Sequence, residues 1–173
     1  DEIFDLDVTT GQAITRPDEV PFLCVIPKET EAQQAPFPTI IYSHAIGSTR
    51  FEGLVFAGAM AKFGMATCTI DAVGHGIAIP NEFDELLSRL SKSLKLENLP
   101  AVLAHHRARD VDFDGIPDSG ADYFSTDLLH SRDHFRQSTI DQLQFVRLLR
   151  TFDGKRKFSA SDPSSRFVAA RRD

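Results

Sequence analysis

The sequence predicts an α/β fold with a mostly parallel sheet flanked by helices, and three observations predict it. Short β-branched apolar runs dominate the first third of the chain. A strand, loop, helix, strand order over residues 39–76 implies a parallel βαβ unit. A strongly periodic helix follows near residues 131–150.

In chain order, residues 3–8, 20–26 and 39–43 are apolar runs bounded by Pro or polar residues, so they read as strands. Pro21 and Pro27 limit the second to an edge-like role. Thr49 and Glu52 have the spacing of a capping box. Phe51, Leu54, Val55, Gly58, Ala59 and Ala61 then recur at helical spacing, and Gly64 ends that helix. Residues 65–70 form another strand, which runs into Asp71 and the turn Gly74-His75-Gly76. Residues 81–99 carry leucines among charges and serines, a helical pattern closed by Pro100. Residues 107–122 are Asp-rich and turn-like. On the wheel of the next helix, Phe135, Thr139, Leu143, Val146 and Leu149 fall on one stripe that is expected to face the core. The organisation expected is one incomplete domain: strands and first helix over 1–76, an insertion over 77–127, a long helix within 128–150, and a polar tail over 151–173.

Of the 173 residues, 42% are apolar and 25% charged, which excludes collagenous, coiled-coil and disordered classes. No apolar run approaches the eighteen or so residues of a membrane span. The net charge of -6, without an extended Lys/Arg block, argues against nucleic acid as a partner. Cys24 and Cys68 both sit in strand-like runs and are expected to behave as small buried hydrophobes rather than as a disulfide framework.

The segment Ser43-His44-Ala45-Ile46-Gly47 ends a buried strand and opens a helix. Such a loop can aim backbone N–H groups at a developing oxyanion. By itself it reads first as a tight β-to-α turn of any doubly wound fold. The companion strand and its Asp71-Ala72-Val73-Gly74-His75-Gly76 turn repeat the same grammar at the right distance.

These two segments together resemble the front half of the α/β-hydrolase fold, in which a His-Gly oxyanion loop follows one strand and an Asp-x-x-Gly-His-Gly turn follows the next. Residues 114–124 and the stretch Ser131-Arg132-Asp133-His134-Phe135-Arg136-Gln137-Ser138 are similar to a subgroup of secreted or envelope-attached bacterial lipases and esterases. The resemblance covers about residues 19–150. It implies a serine carboxyl-ester hydrolase acting on an ester or lipid substrate, with the Ile46 N–H as oxyanion donor, Gly47 beside it, and His44 and Ala45 on the substrate side. Ala45 stands where the family usually has Gly, and its methyl group is expected to narrow the approach. No G-x-S-x-G elbow occurs in the chain. The nucleophile is therefore expected downstream of residue 173, and the 173 residues alone are expected to be inactive.

A second signal is Asp110-Val111-Asp112-Phe113-Asp114-Gly115-Ile116-Pro117-Asp118. Carboxylates at positions 1, 3, 5 and 9, with Gly at 6 and the Ile116 carbonyl at 7, match the way a Ca²⁺ loop arranges hard oxygens. Position 12 is Ala121 rather than Glu, and a solvated Asp/Gly turn is the alternative. His130 and His134, four apart, share a helix face at a zinc-like spacing, with no third ligand suggested nearby. Surface or cap histidines are the expectation there. Arg132, Asp133 and Arg136 are expected to form ion pairs that fix the helix start. The rival function is a non-catalytic calcium-binding or interaction module of the cell surface.

Overall fold

A computed structural model describes residues 6–15, 18–95 and 99–152. Strands β1 (Leu6–Asp7) and β2 (Gln12–Ala13) form a short antiparallel hairpin around Gly11, whose φ of 67° suits a residue without a side chain. This hairpin replaces the single strand expected over 3–8, of which residues 3–5 lie outside the described residues.

The main sheet has three strands in the order β3 (Phe22–Val25), β5 (Ala66–Ile70), β4 (Thr39–Tyr42). β4 and β5 are parallel, joined through α1 (Leu54–Lys62), so the βαβ unit expected over 39–76 is present. β3, however, runs antiparallel to β5. The expected mostly parallel, α/β-hydrolase-like sheet is thus corrected to a small mixed sheet with one parallel and one antiparallel pair. The reason lies in the connections. A parallel neighbour needs a long crossover, usually a helix. The β3-to-β4 segment instead holds only a Thr30–Gln33 bridge and prolines, so β3 pairs across β5 rather than beside β4.

β5 is buried along its whole length, as the central strand of a sheet covered on both faces should be. Cys68 and Ile70 pack with Phe145, and Val20, Phe22, Cys24 and Leu149 close around them. Cys24 and Cys68 are register partners on β3 and β5 and form a disulfide. They are a covalent staple across the antiparallel pair, not the independent small hydrophobes expected.

The helices follow the expected spans more closely than the expected faces. Thr49 caps a 3-10 turn (Arg50–Gly53) by accepting from the Phe51 N–H, but Glu52 does not complete a capping box. Its carboxylate is taken up by Tyr42 and Ala45. α1 turns Ala57 inward and leaves Leu54 and Val55 exposed. The helix expected over 81–99 is α2 (Asp84–Leu94), and Pro100 does not end it. Pro100 lies in the first turn of a separate α3 (Leu99–Ala104), where its missing N–H has no intrahelical partner to lose.

α4 (Leu128–Leu149) is capped by the Asp127 carboxylate, which accepts from the Leu129 and His130 N–H groups. The stripe expected to face the core is corrected here: Phe135, Thr139 and Leu143 are exposed, while Ser131, Asp133, His134 and Phe145 are buried. Much of α4's docking is polar. Asp141 pairs with Arg107 at 2.6 Å, Gln142 donates to Ser43 Oγ at 3.2 Å, and Tyr123 OH lies 3.3 Å from Ser138 Oγ. No helix among the described residues is long and apolar enough to cross a membrane. Apart from Thr151 and Phe152, the polar tail expected over 151–173 lies outside the described residues.

Candidate functional site

The loop between β4 and the 3-10 turn is held from two sides. Glu52 accepts from Tyr42 OH at 2.8 Å and from the Ala45 N–H at 2.9 Å. The Ala45 N–H first, then Ser48 and Tyr42, hold the Glu52 carboxyl down to about 2, and the same contact raises the Tyr42 phenol. On the other side His44 staples the loop to the segment after β5. Its Nε2 accepts from the Ala72 N–H at 2.9 Å, which leaves Nδ1 as the donor to the Ala45 carbonyl at 2.9 Å.

These contacts fix His44 and Ala45, while the next two amides remain uncommitted. The Ile46 and Gly47 N–H groups donate to no acceptor among the described residues. Gly47 takes the left-handed φ of 77°. Ala45 does not, so its methyl group meets no backbone penalty.

The turn after β5 is locked against the loop that precedes α4. His75 is buried with Nδ1 2.9 Å from the Val73 carbonyl, and burial pushes its imidazole below the ordinary value. Gly120 N–H donates to the Gly74 carbonyl at 2.8 Å, and Ser119 Oγ bridges the Gly76 N–H and the Ser48 carbonyl at 3.1 and 2.9 Å. A Cβ on Gly120 would lie 2.5 Å from His75 Nε2 and 2.7 Å from Gly47 N. Only glycine lets the two loops close so tightly.

Behind them, Arg50 and Asp71 form an ion pair with side chains 1% and 0% exposed. Asp71 also accepts from the Arg50 N–H at 2.6 Å, and the guanidinium donates to the Val102 carbonyl at 2.8 Å. One buried pair therefore ties together the start of the helical segment, the end of β5 and α3.

The Asp-rich loop is closed by an Arg109–Asp118 bridge, and it gathers Asp110, Asp112 and Asp118 with ligand oxygens within 4.8 Å of one another. Its carboxylates also serve its own backbone: Asp110 accepts from Asp114 N–H and Gly115 N–H, and Asp118 from Val111 N–H. Asp114 is not one of the gathered three; it accepts from the Ile116 N–H at 2.7 Å. Ile116 is exposed.

A second group joins the end of this loop to α4. Asp122 lies with Oδ2 3.8 Å from His130 Nε2 and 4.0 Å from His134 Nε2. His134 is buried, which pushes its imidazole below the ordinary value. The histidine pair was legible from its spacing, but Asp122 as the third member was not. The signal was an extra aspartate just past the acidic loop, brought back by the chain reversal before α4. Asp133 pairs with two arginines of the same helix, 2.7 Å from Arg132 Nε and 3.4 Å from Arg136 Nη1.

No family model, no curated protein and no solved structure matches the chain.

Proposed function

We propose that this chain supplies the oxyanion loop of a serine carboxyl-ester hydrolase acting on an ester or lipid substrate, with the nucleophilic serine contributed by residues beyond Asp173. The observation that carries the reading is the Ile46 amide. It donates to nothing among the described residues, although the two residues before it, His44 and Ala45, are anchored through Ala72 and Glu52.

Oxyanion stabilisation requires donors oriented before charge develops, because reorienting them during the reaction would cost what the bond contributes. In the proposed mechanism the serine oxygen attacks the ester carbonyl carbon, the carbonyl oxygen gains the negative charge, and the Ile46 N–H donates to it. Gly47 allows the chain to turn away behind that amide. A secreted or cell-envelope location accompanies the proposal, and the Cys24–Cys68 disulfide supports an oxidising compartment.

The test is intact mass of the natively purified protein before and after a fluorophosphonate that labels activated serines. The expected result is a mass above 19.2 kDa that gains one adduct. A mass without any adduct refutes the reading. In that event the rival, a calcium-binding or interaction module using Asp110, Asp112 and Asp118, predicts a melting temperature that rises with Ca²⁺ and falls back with chelator.

A further inference from the structure

We propose that Asp122, His130 and His134 form a binding site for one divalent cation of the zinc class, which cross-links the loop after Gly120 to the first two turns of α4. This site is separate from the oxyanion loop and does not depend on its function.

The spacing of the three side chains is the first argument. At 3.8 and 4.0 Å, Asp122 Oδ2 is too far from His130 Nε2 and His134 Nε2 for hydrogen bonds, which end near 3.2 Å. All three ligand atoms nevertheless lie within 4.8 Å of one another. Bonds of about 2.0–2.1 Å at tetrahedral angles place ligand atoms about 3.4 Å apart, so a shift of roughly half an ångström brings Asp122 Oδ2 to that spacing from each imidazole.

The second argument is the state of Asp122. Its side chain is 11% exposed, and neither carboxylate oxygen accepts a hydrogen bond among the described residues. A buried carboxylate in that condition is costly unless something positive compensates it. The half-exposed Arg109 forms an ion pair with Oδ2 at 3.9 Å, beyond hydrogen-bond reach, so its charge offsets part of the cost but leaves both carboxylate oxygens without a hydrogen bond.

Space has been kept for the cluster. A Cβ on Gly74, which has a φ of 73°, would come 2.7 Å from Asp122 Oδ1 and 3.5 Å from His134 Cε1. The donor set selects the ion: two imidazoles and one carboxylate suit zinc-like metals, whereas Ca²⁺ and Mg²⁺ prefer all-oxygen shells. His130 and His134 lie four residues apart on one helix face, so α4 presents both without distortion. His130 Nε2 also sits 3.1 Å from the Asp122 carbonyl, and that contact gives way to the ion. Water completes the fourth position.

The experiment strips the natively purified protein with chelator and titrates it with Zn²⁺ against a chromophoric competitor, counting bound ions by native mass spectrometry. The expected result is one Zn²⁺ per chain and, with Co²⁺ instead, visible absorption of four-coordinate intensity. His130→Gln should weaken Zn²⁺ by more than about 100-fold, the upper end for loss of an outer-shell partner. Asp122→Asn, which keeps the side-chain shape, is the second variant and should do the same. Asp112→Asn, in the other acidic group, should leave the affinity unchanged. Folded wild type that binds no stoichiometric Zn²⁺, variants at position 122 or 130 that keep full affinity, or loss of affinity in Asp112→Asn would each overturn the proposal.

Discussion

Replacing Arg50 by Met removes one half of the most deeply buried ion pair in the protein, and the structure allows the cost to be worked out. Both side chains are almost wholly inaccessible, 1% and 0%, so water cannot screen the charge left behind. In Arg50→Met, Asp71 keeps the N–H of residue 50 as a donor but loses the guanidinium. The carbonyls of Val102 and His105 lose a donor as well. Breaking a buried pair from one side costs about 3–5 kcal/mol, a large share of the roughly 5–15 kcal/mol that holds a domain folded. Asp71→Asn should cost a similar amount because it strands the guanidinium. The double variant should be less destabilised than the sum of the two by about 1–3 kcal/mol, since neither charge then lacks its partner. The assay is urea unfolding at pH 7 followed by far-ultraviolet circular dichroism, a suitable probe for a chain that has no Trp. Single variants within about 0.5 kcal/mol of wild type, the range of ordinary surface changes, would refute the reasoning.

The disulfide and the Glu52 anchor give two further expectations. Cys24 and Cys68 are 44 residues apart, so Cys24→Ala with Cys68→Ala should lower stability by about 4 kcal/mol through the freedom returned to the unfolded chain; an unchanged urea midpoint would contradict this. The Glu52 carboxyl, held at about 2 against an ordinary 4.5, contributes stability that is fully present above pH 4.5 and is lost as pH falls through about 2. The stability gap between wild type and Glu52→Gln should therefore shrink over that window, and a gap independent of pH would show that the carboxylate does not anchor the loop.

What could be read from the sequence divides along physical lines. The βαβ unit was legible because β4, α1 and β5 are contiguous and locally consistent, with Thr49 marking the helix start. The direction of β3 was not, since strand pairing depends on connections whose path leaves no periodic trace. The disulfide was hidden for the same reason: Cys24 and Cys68 face each other only once β3 lies antiparallel to β5. α4 was legible as a helix but not as a surface. An apolar wheel finds Phe135 and Leu143, whereas Asp141, Gln142 and Ser138 make the polar contacts that dock it. Among the candidate site residues, the His44–Gly47 loop and the aspartates were visible as local motifs. Glu52 looked like a capping residue, and Asp122 needed a chain reversal to meet His130 and His134.

The central claim, that the Ile46 amide receives an oxyanion, is tested most directly by comparing Ile46→Pro with Ile46→Ala in the natively assembled protein. Proline removes the N–H, whereas alanine changes only the exposed side chain. With melting temperatures measured alongside to confirm folding, proline should lower kcat for ester hydrolysis by about 100- to 1,000-fold, and alanine should leave it near wild type. Equal kcat in the two folded variants, or no ester hydrolysis by the wild-type protein, would contradict the account.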